Sequence, residues 1–246
     1  MRCARCHQDN PEGARFCNQC GATLAPAAEP ELRRLTVLFC DLVGSVELAN
    51  RLDPEEWHAL LAAYQAAAGQ AIRRHQGHVA QHLGDGLVAY FGYPVAHEDD
   101  ALRAVRAALD LVREAGAIAV PNSGGHLSLR VGVHTGAAVM GPVGVGGDVL
   151  ALGDTPHIAA RLQALAHAGT VVLSPAARSL VEHKVRWADL GEHALKGLPG
   201  VMRVHQALAL RGESEEAEAG RSPFVGRVRE LASLVEAWSA SQPSGR

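Results

Sequence analysis

Four of the five cysteines in this 246-residue chain fall within its first twenty residues, as Cys3-Ala-Arg-Cys6 and Cys17-Asn-Gln-Cys20. No other feature narrows so far what the chain can fold into. A segment of about 24 residues is too short to bury a core, so its folding energy has to come from a metal or a cross-link. Two C-x2-C pairs ten residues apart offer four thiolates of the kind tetrahedral zinc takes up. Gly13 and Gly21 allow tight turns beside each pair. A disulfide reading needs an oxidising compartment, and the opening stretch, MRCARCHQDN, has no apolar region of the kind that directs secretion. Residues 1–24 are therefore expected to form a zinc ribbon, with one structural Zn²⁺ on Cys3, Cys6, Cys17 and Cys20. The ribbon reads as a structural knuckle in preference to a nucleic-acid reader.

Charge supports that preference. The 23 basic and 26 acidic residues leave a net charge of −3, whereas a dedicated DNA-binding protein usually presents a basic face. Nucleic acid is thus disfavoured as a partner. With 48% hydrophobic residues the chain can bury a core. No apolar run approaches the roughly 18 residues of a membrane span. A soluble, cytoplasmic protein is expected.

Residues 25–31 read as a short extended linker. From there to about Leu210, strand-like and helix-like stretches alternate. Leu35–Cys40 is apolar and β-rich. Asp53-Pro54-Glu55-Glu56 starts a helix that runs to about His75. His78–His82 and Leu87–Phe91 flank Gly84-Asp85-Gly86, the pattern of a hairpin. Asp99–Glu114 has helical periodicity, Leu127–Val133 reads as a strand, Pro156–Ala166 as a helix, and Val171–Leu173 and Val201–Ala207 as strands. No glycine-rich dinucleotide fingerprint interrupts the alternation. An α/β (α+β) sandwich with its helices on one face is expected. Residues 211–222 read as a flexible acidic linker, and a helix is expected over Val228–Ser239.

Two carboxylates stand out from this background. Asp41 ends an apolar strand just before Gly44 and a helix start at Val46, where a metal-bound phosphate can be held by a carboxylate and by backbone N–H groups. Asp85 sits at the tip of the hairpin. If the first strand lies beside that hairpin, the two could share a pair of divalent ions. Taken singly, each is a common turn or cap residue. Cys40 reads as a small buried residue, not a nucleophile.

The order of blocks is more specific than any one of them. Thr36-Val-Leu-Phe-Cys-Asp41-Leu-Val-Gly-Ser45, His82-Leu-Gly-Asp85-Gly, Arg130-Val-Gly-Val-His-Thr-Gly136, Leu152-Gly-Asp-Thr-Pro-His-Ile-Ala-Ala-Arg161 and Ala194-Leu-Lys196-Gly together resemble the class III adenylyl/guanylyl cyclase catalytic domain. The likeness covers about residues 33–208, and the cyclase domain is expected over 32–210. Tyr90-Phe-Gly-Tyr-Pro-Val-Ala-His-Glu-Asp-Asp100 is similar to a bacterial branch that couples such a domain to an ATPase-like region. Phe224-Val-Gly-Arg-Val-Arg-Glu-Leu231 is similar to the lead-in of that region, so 223–246 are expected to be its truncated start; no GxxxxGK[ST] loop follows.

The resemblance implies a ferredoxin-like core, a homodimer with its sites between subunits, and a nucleoside triphosphate substrate, ATP with GTP as the alternative. It implies two Mg²⁺ or Mn²⁺ ions on Asp41 and Asp85, Arg161 on the reacting phosphate, Lys196 on the terminal phosphates, and the backbone of Leu42, Val43, Gly44, Ser45 and Val46 along the triphosphate. Val46 stands where a threonine is usual. Three further positions depart from the family pattern. Gln81 stands where a lysine commonly reads adenine, Leu150 where an Asp or Thr does, and His157 where an asparagine positions the ribose. Glutamine and histidine keep hydrogen-bonding groups, but leucine has none. The alternative implied is a weak or silent cyclase-fold regulatory module. Only two of the 23 basic residues are lysines, Lys184 and Lys196. A lysine at the triphosphate position is therefore more informative here than it would be in a lysine-rich chain.

Overall fold

The computed structural model describes residues 2–3, 5–11, 13–14, 16–22, 30–143, 148–212, 230, 232–233 and 236. It divides into two units, Met1–Leu210 and Arg211–Arg246. In the second unit, residues 230, 232–233 and 236 are helical, inside the span expected for a helix. Residues 25–29 of the first linker lie outside the described residues. So do most of the acidic linker and of the ATPase-like lead-in.

Within the first unit the elements run β1 (Glu31–Leu42), α1 (Ser45–Arg51), α2 (Pro54–Arg74), β2 (His78–Leu83), β3 (Gly86–Phe91), α3 (Asp100–Ala115), β4 (Leu129–Val143), β5 (Asp148–Leu152), α4 (Asp154–Leu165), β6 (Thr170–Leu173), α5 (Pro175–Leu180), β7 (Val185–Ala194) and β8 (Val201–Leu210). Helix α2 begins as its sequence dictates. Asp53 accepts from the Glu56 amide at 2.8 Å, the Glu56 side chain accepts from the Asp53 amide, and Pro54 occupies the first turn.

The strands join in one sheet in the order β2-β3-β1-β4-β6-β8-β7, with β5 hydrogen-bonded to β4. Every pairing is antiparallel except β4 with β6. Side chains on β1 alternate between faces. Leu38, Cys40 and Leu42 join the core under α2 and α3, while Leu35 and Val37 pack with Ala159 of α4 on the other side. The helices therefore cover both faces, not one. The cause is legible at Gly132 on β4. A Cβ there would lie 2.2 Å from the Gln163 nitrogen and 2.3 Å from the Ala159 oxygen, so the missing side chain lets the α4 backbone settle on the sheet.

The first strand is longer than its apolar run, Glu31–Leu42 against Leu35–Cys40, because its ends pair with β4 even where the side chains are exposed. Strand β4 likewise continues to Val143, where it pairs with β5. Three elements escape the hydrophobic pattern. Strand β5 has five residues, α5 has six, and β7 has no regular alternation in burial.

Candidate active site

Asp41 is carried to the site by the pairing of β1 with both neighbours. In the β1–β4 register it lies opposite Arg130, and in the β1–β3 register Cys40 lies opposite Leu87. The hairpin tip bearing Asp85 thus comes to the end of β1. Two glycines make the approach possible. Gly84 turns at φ 66, in the left-handed region. A Cβ on Gly86 would meet the Cys40 carbonyl oxygen at 2.9 Å and Asp41 Oδ1 at 3.3 Å. Gln65 of α2 donates to the Gly84 carbonyl at 3.3 Å and ties the tip to the helix below.

The electrostatics of the pair follow from this crowding. Partial burial raises the Asp41 pKa, the negative charge of Asp85 raises it further, and Arg130 opposes both. Arg130 and Gln163 each donate to Asp41 Oδ2, at 3.3 and 3.4 Å. Beneath, Tyr64 and Cys40 share a buried hydrogen bond of 3.0 Å. Burial pushes the Cys40 thiol up to about 12, which keeps it protonated and inert. Two carboxylates brought this close form a donor set suited to a dication, and two such residues leave room for substrate oxygens and water to complete its shell. Asp85 also lines a cavity of about 250 Å³ with Ser45, Val46, Ala49, Trp57 and Leu61.

A second cavity, about 220 Å³, brings Gln81, Leu150 and His157 together on the α4 side of the sheet. Three separate elements supply them: β2, β5 and α4. The Tyr90 hydroxyl accepts from the Ala151 amide at 3.1 Å and fixes β5 against β3. Arg161 follows His157 by one helical turn and, like it, is exposed. Lys196 is exposed in the turn after β7, flanked by Leu195 and Leu198, which pack with Ile158 and Leu162 of α4. All of the sequence-derived substrate residues except Leu42–Val46 therefore gather on or beside α4 and this cavity. The two cavities share no lining residue.

The adenylate and guanylate cyclase catalytic-domain model matches residues 28–209. The chain belongs to the adenylate and guanylate cyclase catalytic-domain family. A zinc-ribbon model matches residues 2–24. An uncharacterized protein of Rhizobium meliloti is 32% identical over 213 residues, 85% of this chain and 21% of that protein. An adenylate cyclase of Anabaena cylindrica is 32% identical over 139 residues, 54% of this chain and 27% of that protein. The chain thus spans about a fifth to a quarter of the length of these two relatives. The crystal structure of the adenylyl cyclase CyaB from P. aeruginosa superposes with a TM-score of 0.68 at 26% identity, covering 74% of this chain and 97% of that one.

Two partners of Asp41 in this cyclase domain, Arg130 and Gln163, are not among the residues whose role the sequence implies. Arg130 lies in a block that was recognised, and its cross-strand register with Asp41 is the signal that assigns it. Gln163 gave no signal, since its contact depends on how closely α4 approaches β4. His134, in the same block as Arg130, is buried and faces inward, with Nδ1 2.8 Å from Ser174 Oγ. Burial lowers its pKa to about 4, so it is neutral at pH 7.

The cysteines converge as their spacing implies. Cys3 and Cys20, and Cys6 and Cys17, have Sγ atoms 3.6 Å apart, and all four ligand atoms lie within 4.8 Å of one another. A tetrahedral zinc with bonds of about 2.3 Å requires sulfur separations of nearly this size. Amide-to-carbonyl bonds from His7 to Cys3 and from Gly21 to Cys17, both 2.9 Å, close the two turns. Backbone amides, Cys20 foremost, pull the Cys17 thiol down to about 6, which favours the thiolate that binds metal. Among the described residues no other cluster of three or more such ligands occurs, and no helix is long and apolar enough to cross a membrane.

Proposed function

We propose that this domain is a cytoplasmic signalling enzyme that converts ATP, and GTP as a second substrate, to a 3′,5′-cyclic nucleotide and pyrophosphate. The reaction takes place at two sites shared by a homodimer. One observation carries the reading. Asp85 of the carboxylate pair and the Gln81, Leu150 and His157 cluster line separate cavities of one chain. A second copy related by a two-fold axis would set the carboxylates of one chain against the cavity of the other, twice.

In this reading Asp41 and Asp85 hold two Mg²⁺ or Mn²⁺ ions. When bound, those ions assist loss of the ribose 3′-hydroxyl proton and neutralise phosphate charge. Arg130 and Gln163 keep the Asp41 carboxylate turned toward the site. The amides of Leu42 to Val46 line the triphosphate, Lys196 binds its terminal phosphates, and Arg161 stabilises the charge that grows on the reacting phosphorus centre. His157 hydrogen-bonds the ribose and Gln81 a ring nitrogen of the base. Leu150 offers the base only contact, so base choice is relaxed. The four-cysteine ribbon holds one structural Zn²⁺.

Leu150 also supports a second reading, in which the same dimer is a silent regulatory module of a larger protein. Incubation with Mn²⁺ and ATP or GTP separates the two. Cyclic nucleotide above an Asp41→Ala control supports the enzyme, and none refutes it. Mixing Asp41→Ala with Arg161→Ala chains should restore activity that each lacks alone, because the mixed dimer regains one complete site. Failure of that rescue would refute the shared site.

A further inference from the structure

A third cavity, about 790 Å³, touches neither of the two above. It lies between α3 and the strands β6 and β8. Small side chains account for it, since Gly169, Ala207 and Ala209 leave its sheet side unfilled. On α3, Arg106, Leu109, Asp110 and Arg113 recur at three- and four-residue spacing and so share one face toward the gap.

The charges on this wall do not balance. Asp110 accepts from His75 Nε2 at 2.8 Å, from Arg74 at 3.2 Å and from Arg113 at 2.6 Å. Glu114 accepts from Arg74 at 2.7 Å. Among the residues lining the cavity, two arginines, Arg106 and Arg113, thus face one carboxylate, Asp110, which leaves one positive charge over when His75 is neutral; Arg74 and Glu114, outside the lining, offset each other. Arg106 is the cation left without a hydrogen-bond or ion-pair partner among the described residues, and it is half-buried. A guanidinium cannot shed its charge, and one that is partly withdrawn from water gains from an acceptor. Leu109, Val112 and Val171 add apolar lining.

We propose that this cavity binds a small amphiphilic monoanion, a medium-chain carboxylate, with its head group on Arg106 and its hydrocarbon body over Leu109, Val112 and Ala209. A single surplus charge matches a single carboxylate. The volume lies within the usual range of small-molecule sites, which combine apolar walls with a few placed polar groups.

Calorimetric titration of the full chain with octanoate, 1-octanol and acetate tests the assignment. Octanoate should bind about tenfold more tightly than 1-octanol, the scale of a hydrogen-bonded charge, and acetate should not bind measurably because it lacks the apolar body. Arg106→Gln should remove the preference for octanoate over octanol. Ala209→Trp fills the cavity at a half-buried position and should abolish binding of both. Equal affinity for octanoate and octanol, unchanged octanoate affinity in Arg106→Gln, or no binding to the parent chain would overturn the proposal. If Arg106→Gln fails to fold, the octanoate-to-octanol ratio and Ala209→Trp still decide it. None of these readouts depends on cyclase activity.

Discussion

Replacing Gly132 by alanine tests how α4 is positioned, because one methyl group there meets backbone and not a side chain that can swing away. The added Cβ would lie 2.2 Å from the Gln163 nitrogen, 2.3 Å from the Ala159 oxygen and 2.9 Å from the Gln163 Cα. Ordinary contacts begin near 3.4 Å, so helix and sheet must separate by about 1 Å. Overpacking of a filled core costs typically 1 to 3 kcal/mol. Here the obstacle is helix backbone, which places the cost at about 3 kcal/mol. The smaller entropy of the unfolded alanine chain offsets about 0.4 to 1 kcal/mol of that. The net loss of about 2 to 3 kcal/mol corresponds to a fall in melting temperature of roughly 4 to 12 °C for a domain of this size. Gly141→Ala on the same strand is the matched control, since its Cβ would meet only Pro30 at 3.7 Å or more. It should change stability by less than about 0.5 kcal/mol. Urea unfolding of both variants, followed by circular dichroism, gives the comparison. The cyclase rate of Gly132→Ala should fall as well, because Gln163, His157 and Arg161 all ride on α4. Equal stability of the two variants would refute the account of why α4 lies where it does.

Other perturbations bear on the remaining parts. His134 has its folded pKa lowered to about 4 by burial, so below pH 6.5 the unfolded chain takes up a proton that the folded chain refuses. Its contribution is present above the unfolded value and is lost as pH falls from 6.5 toward 4, with a slope near 1.4 kcal/mol per unit. Denaturant midpoints across that window should flatten in His134→Gln. For Asp41 the shift is upward, so charging it costs stability as pH rises through the folded value. Asp41→Asn should therefore melt above the parent at pH 7 without divalent ions, yet be inactive. A lower melting temperature would contradict the burial cost and the repulsion by Asp85 that raise the Asp41 pKa. Elemental analysis should find one zinc per parent chain and lose it in Cys17→Ser, while thermal unfolding of the cyclase core should be unaltered. Gln81→Lys combined with Leu150→Asp should raise turnover of ATP over GTP. No change in the ratio would mean that these positions do not read the base.

Local chemistry made much of this chain legible in advance. The paired cysteines, the Asp53 cap, the hairpin around Asp85 and the helical stripe of α3 are set by contacts within a few residues. Pattern reading therefore placed them to within one or two positions. Two of the elements it passed over take their stability from distant partners. Strand β5 exists because β4 is there to pair with it, and β7 because β8 is. The assumption that the helices share one face failed for a similar reason, because a glycine on β4 has no visible consequence until α4 is brought against it.

The candidate site divides along the same line. Block order, through the family resemblance it carries, names the acidic pair, Arg161, Lys196 and the departures at Gln81, Leu150 and His157 as candidates. Only the tertiary structure showed that Gln81, Leu150 and His157, from three elements, line one cavity, that Arg130 and Gln163 donate to Asp41, and that Asp85 lines a different cavity. Strand register and helix approach decide which side chains meet. Both are properties of the assembled sheet and of no single segment.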